Sequence, residues 1–382
     1  MKSVIENGSM VVFSNKKIHF FEYQFSSLKD IDAYEWTGCC AKDTNVHIFE
    51  IIEMISDEEK QELRKESMQN DDYQEITAPG IIYTRGGKED FVSFINASNE
   101  TNGWTGKYRD YDCYRKMLGP AKLHDVAART KIGDYVGSCI CLEFDTYAFV
   151  SLYYIHPEYR KRGIGTELFK RVINDDLRKK NIGLHSVQHM SAVYSQQLGF
   201  NKWASWTLDI IEVKNVDKQK IIVDNIHLTV KDGKEVSLQR IIDYDAKVAK
   251  CRREDFVMHW AVDRIDAICK VLVNSKGEIL GYGCGRLLSV VGYPGFGPVY
   301  SDSDDGFKLL FYALCSCFDN ELKEQNSINL HVPTIKSNTV KQILHDAANF
   351  KLKEQLTPQF TQEIPGHDID KIYCVTDATM FI

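Results

Sequence analysis

Apolar positions run without a polar break at one place in this chain. Residues 147–155 are apolar on both faces apart from Ser151, the pattern of a central strand covered on both sides. His156-Pro157-Glu158 ends the run. Ile164, Leu168, Val172, Ile173 and Leu177 then recur on one stripe, with Glu167, Lys170, Arg171, Asn174 and Arg178 off it. That spacing predicts an amphipathic helix. Upstream, the pattern predicts strands at 81–84, 123–130 and 136–144, with a helix at 88–96 and a helix or loop at 108–117. Downstream it predicts a strand at 183–187, a helix at 190–197 and a last strand at 203–213. The first 75 residues carry strand-like runs at 10–13, 18–23 and 46–54. Ser56 and Glu59 there form a capping box that predicts a helix start.

Between the strand and the helix lies Arg160-Lys161-Arg162-Gly163-Ile164-Gly165. Glycine allows close backbone approach and unusual dihedrals. The first N–H groups of a helix lack internal partners, and the helix dipole adds positive potential there. Three cationic side chains at that point complete a socket for phosphate or pyrophosphate. It is not a P-loop, since no lysine follows the last glycine. It is not the dinucleotide fingerprint either, because Leu168 stands where the third glycine is required.

Strand, loop and helix together resemble motif A of the GNAT superfamily of CoA-dependent N-acyltransferases. The motif Arg/Gln-x-x-Gly-x-Gly/Ala is met by Arg160, Gly163 and Gly165, with Pro157 and Tyr159 also fitting. The resemblance implies an α/β (α+β) fold with a mixed, mostly antiparallel central sheet flanked by helices. It implies that Arg160, Lys161, Arg162, Gly163, Ile164, Gly165 and Thr166 hold the CoA pyrophosphate. The end of the preceding strand, Leu152, Tyr153, Tyr154 and Ile155, would pair with the pantetheine amides. Trp104, Tyr108 and Tyr111 would wall the acceptor. The implied reaction is transfer of an acetyl group from acetyl-CoA to an amine, small molecule or protein.

That chemistry needs a base for the amine and an acid for the leaving thiolate. In the family the acid is a tyrosine five residues before the Phe of Leu-Tyr-x-x-x-Gly-Phe. Counting back from Phe200 gives Ser195, and Tyr194 is one residue off. Either Tyr194 serves or the role is lost. Glu143, at the end of the 136–144 strand, and His156 are candidate bases. His185 and His189 stand four apart, but they lack a third ligand and predict no metal site.

The second half echoes the first. Gly133-Asp134-Tyr135-Val136-Gly137 is matched by Gly277-Glu278-Ile279-Leu280-Gly281, and the loop glycine follows after 26 and 25 residues, at Gly163 and Gly306. Asn338 and Phe350 recover the spacing of the family's last helix. The organisation expected is an extension over 1–75, a GNAT domain over 76–215 and a second GNAT-like domain over 226–382, similar to tandem acetyltransferases with a YitH-like C-terminal half. There Ser301-Asp302-Ser303-Asp304-Asp305-Gly306 replaces the basic loop, and its carboxylates would repel a pyrophosphate. The stretch 292–298, rich in glycine and aromatics, is expected either to line an acceptor pocket or to form a tight strand entry.

Composition adds exclusions. There are 47 basic and 54 acidic residues, net −7, so no nucleic-acid footprint is expected. No apolar run is long enough to cross a membrane, and no signal peptide is expected at the N-terminus. Eleven cysteines without a CxxC pair are expected to be reduced thiols in a cytoplasmic or nuclear protein. Two other readings stay open: a catalytically inactive CoA-binding or interaction protein, and an N-acyltransferase using a longer acyl-CoA, as in glycine N-acyltransferase-like proteins.

Overall fold

The structure is a computed structural model that describes residues 3–6, 9–14, 17–22, 80–221, 223, 227–288 and 292–382. The chain divides into two units, 1–61 and 62–382. In the first, β1 (Ser3–Glu6), β2 (Ser9–Ser14) and β3 (Lys17–Glu22) form an antiparallel meander. Two of the strands expected there are thus present. The run at 46–54 and the helix start at Ser56 lie outside the described residues.

The second unit repeats one element order, with a short strand (Lys202–Trp203) added in the first pass and a short helix (Asp319–Gln325) in the second. The first pass is β4 (Ile81–Arg85), α1 (Lys88–Asn102), α2 (Arg109–Leu118), β5 (Leu123–Thr130), β6 (Tyr135–Glu143), β7 (Ala148–Ile155), α3 (Ile164–Val172), β8 (Ile182–Val187), α4 (Ser191–Leu198), the short β9 (Lys202–Trp203) and β10 (Leu208–Lys214). The second pass is β11 (Leu228–Asp232), α5 (Leu238–Ala249), α6 (Glu254–Phe256, continued by a π turn to Val262), β12 (Ala267–Asn274), β13 (Ile279–Leu288), β14 (Tyr293–Ser301), α7 (Asp304–Cys317), α8 (Asp319–Gln325), β15 (Ser327–Pro333), α9 (Thr334–Ile343) and β16 (Asn349–Phe360). A final strand, β17 (Ile372–Cys374), has no counterpart in the first pass.

The predicted boundary between halves fails to separate two sheets. The strands form one continuous sheet in the order β11-β12-β13-β14-β15-β10-β16-β8-β7-β6-β5-β4, with β9 and β17 attached to β16 and β14. The halves exchange their last strands. β10, from the first pass, pairs with β15 (Leu208↔Pro333 to Lys214↔Ser327), and β16, from the second, pairs with β8 (Leu356↔Val187 to Phe360↔Gly183). β10 and β16 then pair with each other at the centre. All but two contacts of this sheet are antiparallel. The exceptions are β7 with β8 and β14 with β15.

Alternation sorts the core. One face of the first half packs α3 and α4 against Val136, Cys139, Cys141, Val150 and Leu184. The opposite face, with α1 and α2, is continuous with residues of the second half, including Trp260, Tyr282 and Phe381. α3 is shorter than the apolar stripe predicts. It ends at Val172, because the Asn174 side chain accepts the Leu177 N–H at 2.9 Å and turns the chain into a 3-10 turn over Leu177–Lys179. Ile173 and Leu177 are still buried, so the stripe read burial correctly and helix length incorrectly.

A buried charge network ties α2 to the second half. Arg264 donates to Asp110 at 2.5 Å and to Asp266 at 2.6 Å, and Arg286 donates to Asp377. Both guanidinium groups lie over the Trp260 ring, at 4.6 and 4.7 Å, and Tyr114 stacks on that same ring at 5.7 Å.

Candidate cofactor cleft and acceptor face

β7 and β8 run parallel for only three pairs, Ala148↔Ile182, Phe149↔Gly183 and Val150↔Leu184. A bulge at Ser151 then shifts the register between β6 and β7 and marks where β7 leaves β8. Leu152 to Ile155 keep their partners on β6 and have no ladder to β8. Extended backbone with one open edge is what an amide-bearing arm can pair with.

The loop at the mouth of this opening has the geometry an anion needs. Lys161 (φ 63°) and Gly163 (φ 78°) are both left-handed, so successive N–H groups turn to one side. α3 begins at the next residue. Arg160 is held by its bond to the Ile155 carbonyl at 2.9 Å, and Arg162 by the Glu158 carbonyl at 2.8 Å and the Tyr159 ring at 5.3 Å. Arg160, Lys161 and Arg162 are exposed. The charges of Arg160 and Arg162 are met by backbone oxygens and a ring rather than by a carboxylate. Gly165 has another constraint: a Cβ there would lie 2.0 Å from the Tyr153 hydroxyl. Tyr153, on the α3 side, is what forbids a side chain at that position.

The second half has the same cleft, and the chain fills it. β14 and β15 are parallel only through Gly295↔Asn329 and Phe296↔Leu330, and a bulge follows. Beyond it β17 pairs with β14, Val299↔Cys374 and Tyr300↔Ile372, and the Val375 N–H donates to His331 O at 2.9 Å. Gly297 permits this approach, since a Cβ would lie 2.3 Å from the Val375 carbonyl oxygen. At the start of α7, Ser303 accepts the Gly306 N–H at 3.1 Å, Tyr373 donates to Asp304, and Lys371 pairs with Asp302 at 3.0 Å. The glycine-rich stretch is therefore a buried strand with a close backbone neighbour and does not line an open pocket.

After β17 the chain crosses the α1–α2 face of the first half. His185 follows the last parallel pair of β8. Its Nδ1 lies 3.1 Å from the Ala378 carbonyl and its ring meets Phe149 edge-on at 5.0 Å. The Nδ1–H donates, so Nε2 carries the lone pair, and Nε2 is buried with no partner. Burial lowers the pKa of His185 to about 4, and His331, at the matching place on β15, is lowered to about 4 for the same reason. Both imidazoles are neutral at pH 7. Phe381 packs on Trp206, Phe360 and His367. Nothing in the sequence pattern singles out this segment beyond its apolar end, Met380-Phe381-Ile382, which is too short a run to mark core on its own.

The sequence candidates separate in space. Tyr194 lies on α4, buried against Phe169 and Phe200 on the α3 side, and burial raises its pKa, so it stays protonated. α4 closes at the left-handed Gly199, whose N–H donates to the Tyr194 carbonyl five residues back, and the Phe200 N–H reaches the same carbonyl at 3.1 Å, so the helix end carries one residue more than a regular α-helical turn. Glu143 pairs with Ala148, at the closed end of β7, and both its oxygens are engaged, by His124 at 2.7 Å and Lys180 at 2.5 Å. Leu152 lies about four strand residues further on, roughly 13 Å, so Glu143 is placed away from the cleft. Tyr154 is fixed by Thr101 at 3.0 Å and stacks on Tyr135. Tyr111 is core, against Phe91 at 5.5 Å, and Tyr108 donates to Asn96 at 2.5 Å. Trp104 and Tyr108 are both half-buried, and the Trp104 ring packs against Phe94 at the α1–α2 loop. Among the described residues no group of three His, Cys, Asp or Glu could hold a metal ion, and no helix is long and apolar enough to cross a membrane. An open groove of about 660 Å³ lined by Tyr83, Arg85, Asp125 and Arg171 lies at the β4–β5 edge, off the cleft.

Comparison with known proteins agrees with this architecture. The profile of the Acetyltransferase (GNAT) family matches residues 57–200. An uncharacterized Caenorhabditis elegans protein is 22% identical over 188 residues, 48% of this chain, and the match spans only 58% of that relative's length. Among solved structures, the presumed acetyltransferase of Pyrococcus horikoshii is similar at TM-score 0.59 and 13% identity, covering 80% of this chain and 98% of its own. A tandem GNAT protein from the clavulanic acid biosynthesis pathway gives 0.53 and 14%, covering 73% and 98%. Saccharomyces cerevisiae N-myristoyltransferase, solved with myristoyl-CoA, gives 0.53 and 11%, covering 80% and 86%. At these identities the structures establish a shared fold.

Proposed function

Because residues 57–200 carry a GNAT-family domain within a duplicated GNAT fold, we propose that the chain is an acyl-CoA-dependent N-acyltransferase with one working cofactor cleft, in the first half. Acetyl-CoA is the proposed donor and an amine the acceptor. The observation that carries this reading is the asymmetry of the two clefts. The β7–β8 opening has a free strand edge and a basic loop, while its counterpart holds β17 and a carboxylate at the helix start.

In this reading the pyrophosphate rests on the backbone of 160–166, with Arg160, Lys161 and Arg162 neutralising its charge. The pantetheine arm pairs with Leu152 to Ile155, and the thioester reaches the Ser151 bulge. The amine approaches from the α1–α2 face, between the halves. Its nitrogen attacks the thioester carbon, the C–S bond breaks, the amine loses a proton and the CoA sulfur gains one. Tyr194 is the proposed proton donor to sulfur. Its packing in the core favours a second reading, a chain that binds CoA without turning it over. Release of free thiol from acetyl-CoA or a longer acyl-CoA, in the presence of an amine panel, decides between them. Thiol release that depends on amine supports the transferase; CoA binding without release leaves the binder.

A further inference from the structure

The second half contributes a charged side chain to the first half's acceptor face. β16 pairs Leu356 with Val187, so the antiparallel register brings Glu354 level with His189, just beyond the end of β8. Leu356 and Phe360 are buried on the α1–α2 side, and Glu354 shares their side because side chains two apart on a strand point the same way. The α1–α2 loop reaches this point from across the opening. Trp104 is anchored to α1 by its carbonyl, which accepts from Asn99 at 2.9 Å, and packs on Phe94, which meets Tyr154 of β7 edge-on at 5.9 Å. The indole and the carboxylate thus flank the open end of the cleft, one from each half. Glu354 is half-buried, and the Trp104 indole and His189 stand beside its carboxyl.

Resting on the acyltransferase reading, we propose that Glu354 and Trp104 form the acceptor subsite and that it selects a protonated alkylamine. The indole and His189 already stabilise the half-buried carboxylate in part, and a full positive charge beside it would offset the remaining cost of burying it. An ammonium group meets it directly, and the indole face offers the attached carbon chain an apolar and cation-attracting surface. Burial raises the Glu354 pKa against the opposing effects of His189 and the indole, which makes the carboxylate a better acceptor for the proton the amine must shed. The strand exchange gives this placement a structural reason: β16 brings an acidic group to a cleft whose own half supplies cationic ones.

The test uses the full chain, with and without saturating CoA, titrated calorimetrically with phenethylamine and with phenethyl alcohol, which differ at the ammonium group. Glu354→Gln preserves shape, and its melting curve controls for folding. Phenethylammonium should bind the wild type and bind E354Q at least about tenfold more weakly, while the alcohol binds both alike and CoA affinity is unchanged. Equal amine affinity in the two proteins, or no amine binding to the wild type, overturns the subsite. Absence of CoA binding in the same titrations would instead count against the acyltransferase reading, and the amine result stands separately.

Discussion

Tyr373 donates a hydrogen bond to Asp304 and stacks on Phe307 at 4.5 Å, at the helix start of the second half that answers to the basic loop of the first. One duplicated architecture thus has two fates. In the first half the helix start faces an open strand edge. In the second the chain's own end lies along the strand and its tyrosine satisfies the helix-start carboxylate.

Gly163 and Gly165 are needed for different reasons, and substitutions should show it. At Gly163 a Cβ meets nothing within 4 Å, but φ is +78°. Gly163→Ala should cost about 1 kcal/mol in loop strain and weaken CoA binding several-fold. Gly165→Ala drives a methyl into the Tyr153 hydroxyl. Adding Tyr153→Phe removes that oxygen and leaves the nearest ring carbon at 3.1 Å, so Y153F should restore much of the stability and affinity lost by G165A. Calorimetry and melting of the three variants check this. No rescue by Y153F would contradict the assigned cause.

Gly297→Ala places a methyl 2.3 Å from the Val375 carbonyl oxygen and should peel β17 from β14. We expect a loss of about 1–3 kcal/mol in urea unfolding, with CoA affinity at the first cleft kept. A variant as stable as the wild type would show that β17 does not sit tightly in the second cleft.

Asp245 is fully buried and accepts two bonds from Arg253, at 2.9 and 2.7 Å, and one from Tyr282 at 2.6 Å. Asp245→Ala leaves a buried guanidinium uncompensated and should cost about 3–5 kcal/mol. The double variant Asp245→Ala/Arg253→Met should regain part of it. Equilibrium unfolding of the pair measures the coupling.

His185 and His331 both have folded pKa values lowered from 6.5 to about 4. Between those values the unfolded chain takes up protons that the folded chain refuses, so stability falls as pH falls from 6.5 toward 4. The slope is about 1.4 kcal/mol per pH unit for each histidine once the unfolded form is protonated. His185→Gln/His331→Gln should flatten the difference in urea midpoint between pH 7 and pH 5. An unchanged difference would place the acid sensitivity elsewhere.

Motif A was legible because strand, loop and helix are contiguous, so their pattern of apolar runs and glycines survives in one dimension. The duplication was legible from the glycine spacing. The strand exchange was not: β10 and β16 alternate as strands in any partner's company, and nothing local says which half receives them. Glu354 was unreadable for that reason, since its place depends on pairing with β8, more than 160 positions away. Glu143 misled because the end of a strand near the motif need not be the open end. Its residue type was right for a base, and its register with Ala148 put it at the wrong end. β17 was missed because three residues carry no periodicity, and its pairing across the second cleft involves side chains and backbone distant in sequence.

The asymmetry of the two clefts implies one CoA site per chain, at residues 160–166. Calorimetric titration of CoA into the wild type, Gly163→Asp/Arg162→Glu and Asp304→Ala tests it most directly. The wild type should bind one equivalent, the Gly163/Arg162 variant none, and D304A as much as the wild type. Two equivalents in the wild type, or full affinity in the Gly163/Arg162 variant, would contradict it.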